Sequence, residues 1–370
     1  MVFKQVPNLE TKNVFIDTEA FEASNFNFQS TVFKELVRLS QAALVSVVLT
    51  TVTESEILAH IEQRVHDAFL ALEKFRSKGR MLKNVNALDP LFQNFDEQKA
   101  FAEVREKFEK FLAEADVTIL DLDNTDADSI FKKYFDKKPP FGDAKKKYEF
   151  PDAFAQEALS DWCAENKSKM YVVSADPDWQ SLKGNKALIP IAKLQEFVGL
   201  AVKDEAEELT NAVLRQYRAN LAKVETAIKE EFANCGFYTE DVDGDVNEVT
   251  VTRLQLGDPQ ILEIDDVSAT ISVPVDLDYT ADVSYEDDDE GIWDSEDHRW
   301  LYRPTKHEEA EESESFDAEL TVHFDPENDQ AFDVSCSCLW QVGLAHFGGL
   351  IWPTPRDVKV KRTEFRSAGA

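Results

Sequence analysis

The chain has 370 residues, 43% of them apolar, and carries 40 Lys and Arg against 72 Asp and Glu, a formal net charge of −32. That length and apolar content allow a buried core and two or three domains, while the charge excludes long-range attraction of nucleic acid. There is no run of about 18 apolar residues and no apolar signal core, and the 4 cysteines follow neither disulfide nor zinc spacing; membrane-spanning and disulfide-built classes are excluded, and a soluble cytoplasmic protein is expected.

In chain order, residues 14–16 are a short apolar run that ends at Asp17 and reads as a first strand. It delivers a carboxylate to the carboxyl end of a sheet, where open α/β folds build their sites; Asp17 with Thr18 could equally cap a helix. A helix is expected over residues 31–42 and a second strand over 44–49. The strand runs into a long helical pattern whose start offers Glu54 and Glu56, and helical geometry lets only one of two such neighbours face the sheet. Residues 96–115 form an amphipathic helix with Phe101, Val104, Phe108 and Phe111 on its core side. His60 and His66 read as surface or packed residues of the second helix. Residues 117–120, VTIL, are a third strand, followed by Asp121, Asp123 and Thr125.

Residues 139–179 crowd Asp143, Glu149, Asp152, Asp176 and Asp178 around two element boundaries, a density that suggests metal. Asp152 follows Pro151 and opens a helical pattern of Ala153, Phe154, Ala158, Leu159 and Trp162. Its carboxylate therefore lies in a first turn, favoured by free N–H groups and the helix dipole, a place it could also hold as an ordinary cap. Asp176 and Asp178 follow the strand 170–174 at its carboxyl end. Residues 189–234 read as two long helices with a solvated charged face. The alternation through residue 236 predicts an α/β/α sandwich with a parallel or mostly parallel sheet.

Beyond Cys235 the period becomes two, in seven strand-like runs between Gly, Pro, Asp and Asn, which predicts an antiparallel β-domain. Residues 237–370 hold 33 Asp and Glu against 9 Lys and Arg. Two acidic segments, 286–297 and 308–319, are expected as solvated loops that could inhibit or bind a partner. Cys336 and Cys338 read as reduced side chains of one strand. The expected domains are 1–200, a helical connector 201–236, and an acidic β-rich domain 237–370 with a regulatory or partner-binding role.

The run Pro139, Pro140, Phe141, Gly142, then Lys145 to Lys147, then Glu149, Phe150, Pro151, Asp152, Ala153 resembles the PIN domain superfamily of metal-dependent ribonucleases, within it a bacterial PIN-like family. The resemblance spans residues 12–200. It implies that Asp17, Glu56, Asp152 and Asp176 hold Mg²⁺ or Mn²⁺ and act catalytically with Asp178, Glu56 being preferred over Glu54 because it leads directly into the apolar Ile57 and Leu58. Hard cations want such oxygen ligands, and phosphodiester hydrolysis wants a metal to activate water and steady the leaving oxygen. Lys145, Lys146 and Lys147, with Ser174 where relatives have Asn or Thr, are expected at the substrate. The implied protein is an endoribonuclease of single-stranded RNA, toxin-like or acting in phage defence, and homodimeric by default.

Two other classes compete. Asp121, Asp123 and Thr125 after VTIL imitate the first motif of haloacid-dehalogenase-like phosphatases, in which the first Asp is nucleophile and the second general acid/base. The acidity of residues 237–370 would also suit a non-catalytic interaction module.

Overall fold

The computed structural model describes residues 9–123, 125–141, 149–180, 186–239, 244–326, 328 and 331–338, and the short strands His346–Phe347, Leu350–Ile351 and Arg356–Asp357. The chain forms two compact units. The first runs to Thr210 and takes in Gln260–Ile264; the second holds Asn211–Pro259 and the described residues from Asp265 onward.

The first unit begins with β1 (Asn13–Ile16), α1 (Thr18–Ala23) and α2 (Thr31–Gln41), then β2 (Ser46–Thr50), which runs without a loop into α3 (Thr51–Lys78). Thr50 makes that sharp change because its side chain accepts from the Thr53 N–H at 3.1 Å and caps the new helix. After α4 (Glu97–Glu114), capped in the same way by Asp96, come β3 (Thr118–Leu120) and α5 (Ala127–Phe135). Then follow α6 (Phe150–Asn166), β4 (Met170–Val173), α7 (Pro177–Gln180), β5 (Leu188–Ile191) and α8 (Leu194–Glu205). Pro151 stands at the start of α6, where a missing N–H costs nothing.

All five strands are parallel, in the order β3-β2-β1-β4-β5. The central strands are apolar throughout because helices cover both faces. Phe15, Val48 and Val172 pack with Ala155, Leu159 and Cys163 of α6 and with Trp179. On the opposite face, Tyr171 meets Phe197 of α8 at 5.4 Å between ring centroids. Phe21, Phe28, Phe33, Phe108 and Phe111 join α1, α2 and α4 in one aromatic core. The chain builds outward from β1 on one side through β2 and β3, then returns to place β4 on the other. The order reverses between β1 and β4, and that crevice at the carboxyl ends is where this architecture opens a site.

Residues 189–234, expected as two long helices, are instead the end of β5 followed by α8, α9 (Glu207–Ala219) and α10 (Leu221–Ala233). Short breaks near Ala206 and Asn220 turn the chain where the charged periodic pattern gives no Gly or Pro signal.

In the second unit, β6 (Phe237–Tyr238) leads to β7 (Gly244–Leu256). Next come β8 (Gln260–Ile264), which belongs to the first unit and packs on α8, and then β9 (Ser268–Glu286). Gly199 permits the approach of α8 to β8: a Cβ there would stand 2.8 Å from the Gln260 Oε1. A cut near residue 234 therefore removes part of the first unit as well. The remaining strands are β10 (Ile292–Asp294), β11 (Arg299–Tyr302), β12 (Thr305–His323) and β13 (Asp333–Cys338). The antiparallel order β13-β12-β9-β7 buries alternate residues of β9, and Phe232 of α10 packs on Tyr279 at 5.1 Å.

The acidic segment 308–319, expected as a solvated loop, lies inside β12 and pairs without interruption with β9 from Thr305↔Glu286 to His323↔Ser268. Backbone pairing along the whole of β9 outweighs unfavourable side-chain composition. The other acidic segment is partly a turn, with Ile292–Asp294 pairing against Arg299–Tyr302. Among the described residues no helix is long and apolar enough to cross a membrane.

Candidate active site

Asp17 leaves the end of β1, its N–H still donating to the Val173 oxygen of β4 at 3.0 Å. That last sheet bond points the side chain into the crevice, where it is only 8% exposed. Ser174, immediately after β4 and 1% exposed, donates its hydroxyl to Asp17 Oδ2 at 2.8 Å. The same hydroxyl lies 3.3 Å from Glu19 Oε2, which also accepts the Ala175 N–H at 2.8 Å. From the β2–α3 junction, Glu56 accepts a hydrogen bond from the buried Thr18 hydroxyl at 3.4 Å. From the opposite side, the first turn of α6 contributes Asp152, with Glu149 at the cap position three residues earlier.

These carboxyls feel one another. Burial pushes Asp17 up to about 6 despite the Ser174 and Thr18 hydrogen bonds, and the charges of Glu56 and Glu19 push the same way. Burial also raises Glu56, with the Thr18 hydroxyl and His60 opposing it. Asp152 is pushed to about 8, first by burial, then by the charge of Asp17 and a hydrogen bond with the Glu149 carboxyl that requires a proton between the two. Burial is therefore the largest cause at Asp17, Glu56 and Asp152 alike, with like charge adding to it most at Asp152, and a cation in the crevice would relieve both.

The donor set is all oxygen and anionic, which fits a hard divalent cation and not a soft one. Among the described residues, no three His, Cys, Asp or Glu side chains stand close enough, as placed, to ligate one ion. The chemistry fits such an ion; the carboxylates would have to draw together around it.

Residues 14–179 match the family model described as PIN domain. This stretch of the chain is a PIN domain. No curated protein and no solved structure gives a significant match. PIN domains are typically nucleases and generally depend on divalent metal, and the match begins at Val14 in β1 and ends at Trp179 in α7, so every acid named above falls inside it.

The structure brings Asp17, Glu56 and Asp152 of the PIN domain into one crevice. Asp176 and Asp178 sit beside it on the β4–α7 turn, where Asp176 Oδ1 accepts the Asp178 N–H at 2.6 Å and the Asp176 N–H donates to Ser174 Oγ at 3.1 Å. One oxygen of Asp176 is thus committed to the turn. Ser174, expected at the substrate, is buried and donates its hydroxyl to Asp17, a placement suited to positioning that carboxylate. Lys145, Lys146 and Lys147, with Asp143, lie outside the described residues. Two acids were not singled out for the site. Glu19 lies two residues beyond Asp17. Glu149, part of the run that carries the resemblance, stands three residues before Asp152, a spacing that puts both carboxyls at one helix end.

The phosphatase reading fails on topology. Asp121 and Asp123 are exposed beyond β3, an edge strand separated from β4 by β2 and β1, so VVS of β4 cannot serve as a neighbouring motif. His60 and His66 are exposed and face Glu22 and Glu97 at 3.0 and 2.8 Å.

Replacing Ser174 tests the positioning role. Ser174→Ala removes the donor that holds the buried Asp17 carboxylate and opposes its upward shift. The expected result is a loss of roughly 10- to 100-fold in metal affinity, as for other groups that orient a ligand, measured by Mn²⁺ titration. Near-complete rescue is expected in Ser174→Thr, which keeps the hydroxyl. Equal affinity in wild type and Ser174→Ala would defeat the assignment.

Proposed function

We propose that the PIN domain is a Mg²⁺- or Mn²⁺-dependent endoribonuclease that hydrolyses phosphodiester bonds of single-stranded RNA. The observation that carries this reading is the convergence of Asp17, Glu56 and Asp152 at the strand-order switch, with burial first and neighbouring carboxylates second raising all three. Those three would hold the metal, with Asp176 joining through its second oxygen and Asp178 assisting from the same turn. Bound there, a divalent ion supplies a water acidic enough to attack phosphorus and charge to steady the leaving oxygen.

The chain's own contribution is positional. Ser174 and Thr18 fix Asp17 and Glu56 by hydrogen bonds. Asp152, raised to about 8, holds a proton in the absence of metal and would give it up on binding a cation. The acidity of the whole chain keeps RNA from being drawn in at long range, so capture depends on local cations. A toxin-like or phage-defence role, and recognition of a protein partner by the acidic C-terminal unit, belong to the same proposal.

The test is a labelled single-stranded RNA incubated with the protein and Mn²⁺, Mg²⁺ or EDTA, alongside a phosphomonoester dye. Cleavage of RNA that needs metal is the expected outcome. Dye hydrolysis without RNA cleavage, or RNA cleavage indifferent to EDTA, would overturn the reading.

A further inference from the structure

Helix α5 carries two large rings into solvent, Phe131 at 47% and Phe135 at 76% exposure. A single exposed Phe needs no explanation, but these stand one helical turn apart on one side of the helix. They are mounted on a packed aromatic base: Phe131 lies 5.6 Å from Phe150, Tyr134 lies 5.3 Å from Phe135 and 5.2 Å from Phe150. Phe150 opens α6 two residues before Asp152, so the aromatic surface leads to the carboxylate crevice.

Exposed lysines flank the rings in an acidic protein, with Asp128 one turn before them and Asp136 beside them. Lys132 and Lys137 are exposed and have no ion pair among the described residues, and Lys138 is paired only with the exposed Asp136, at 3.1 Å. Aromatic faces with adjacent cations are the elements with which proteins hold single-stranded nucleic acid, bases on the rings and phosphates on the lysines.

Resting on the nuclease reading, we propose that the outer side of α5 is the substrate platform: Phe131 and Phe135 stack unpaired bases while Lys132, Lys137 and Lys138 hold the phosphates, and the strand passes over Phe150 to the carboxylates. Such a platform selects unpaired RNA, because bases within a duplex are already stacked on their neighbours and have no free face for a protein ring. The lysines, in a chain of net charge −32, supply the local attraction that the overall charge withholds.

The experiment measures anisotropy of a short labelled oligouridine, and of a duplex of equal length, on full-length Asp152→Asn protein with Mg²⁺. The Phe131→Ala/Phe135→Ala pair added to it is expected to weaken single-strand binding roughly tenfold or more, as loss of stacking does. A Lys132→Ala/Lys137→Ala pair is expected to flatten the log–log salt dependence by about 0.7 per lysine. Circular dichroism and a thermal melt check that the exposed substitutions leave the fold unchanged. Unchanged affinity in the Phe pair, or duplex bound as tightly as single strand, overturns the platform; so does failure to bind any oligonucleotide, which would leave the rings to a protein partner. Cleavage by the otherwise wild-type chain is read separately. If wild type and the Phe pair cut RNA with the same KM, the platform falls and the nuclease reading stands. If wild type cuts nothing while the Phe pair still loses binding, the platform stands and the nuclease reading falls.

Discussion

Asp152→Asn is expected to abolish RNA cleavage and, in metal-free buffer, to make the protein more stable. Both effects come from the same carboxylate. Asp152 is half-buried, and that burial, then Asp17, Glu149 and Glu56, push its proton affinity up to about 8. The wild-type fold without metal must either hold a proton there or tolerate an uncompensated negative charge. An amide of the same shape carries no charge and can donate to Glu149. It cannot replace an anionic ligand, and losing a metal's contribution of several kcal/mol corresponds to about three orders of magnitude in rate. The stability gain should appear as a rise in melting temperature on the order of 5 °C at pH 8 in EDTA, and should shrink when Mn²⁺ is added, since only wild type gains from the ion. A variant that retains full cleavage sinks the site assignment. One that loses cleavage but melts below wild type in EDTA would show that Asp152 supports the fold rather than straining it.

The second large effect is on pH. Carboxyls raised above their unfolded value stabilise the fold while they are protonated, so their contribution is complete below about pH 4 and is lost as pH rises through the folded values. For Asp17 that loss runs from the model-compound value of 3.8 to about 6, a difference of two pKa units that corresponds to about 3 kcal/mol. Asp152 extends the window to about 8. Metal-free protein is therefore expected to lose stability between about pH 4 and pH 8 in denaturant unfolding, and Asp17→Asn should flatten the part of that slope below about pH 6 even though the general repulsion of an acidic chain remains. Divalent cation at pH 8 should restore the loss in proportion to its binding. At limiting metal, cleavage should rise over the same window, because protons and metal compete for the same oxygens. A wild-type slope identical to that of Asp17→Asn, with or without metal, would remove Asp17 from the coupled set.

How much of this could be read from the residues differs from place to place. The apolar run before Asp17, the helix start at Pro151–Asp152 and the strand before Asp176 each left a local signature, because period, Pro and a following acid are features of neighbouring residues. The β12 segment left a misleading one: its glutamates read as a loop, and only pairing along all of β9 makes it a strand. Residues 189–234 misled in another way, since Ala206 and Asn220 break helices without Gly or Pro.

By itself the sequence determined the α/β class of the first part, the change to period-two strands after Cys235 and the acids that could serve a site. It could not say which of those acids meet. Strand order put β1 beside β4 and sent β3 to an edge, so Asp17 and Ser174 became neighbours while Asp121 and Asp123 were left exposed. It was tertiary structure, too, that brought Glu19 and Glu149 beside these acids and made Ser174 a hydrogen-bond donor to Asp17. The physical reason is range: propensity and capping act within a few residues, whereas burial and the repulsion between carboxyls arise only when residues distant in the chain, such as Asp17 and Asp152, are brought to one crevice.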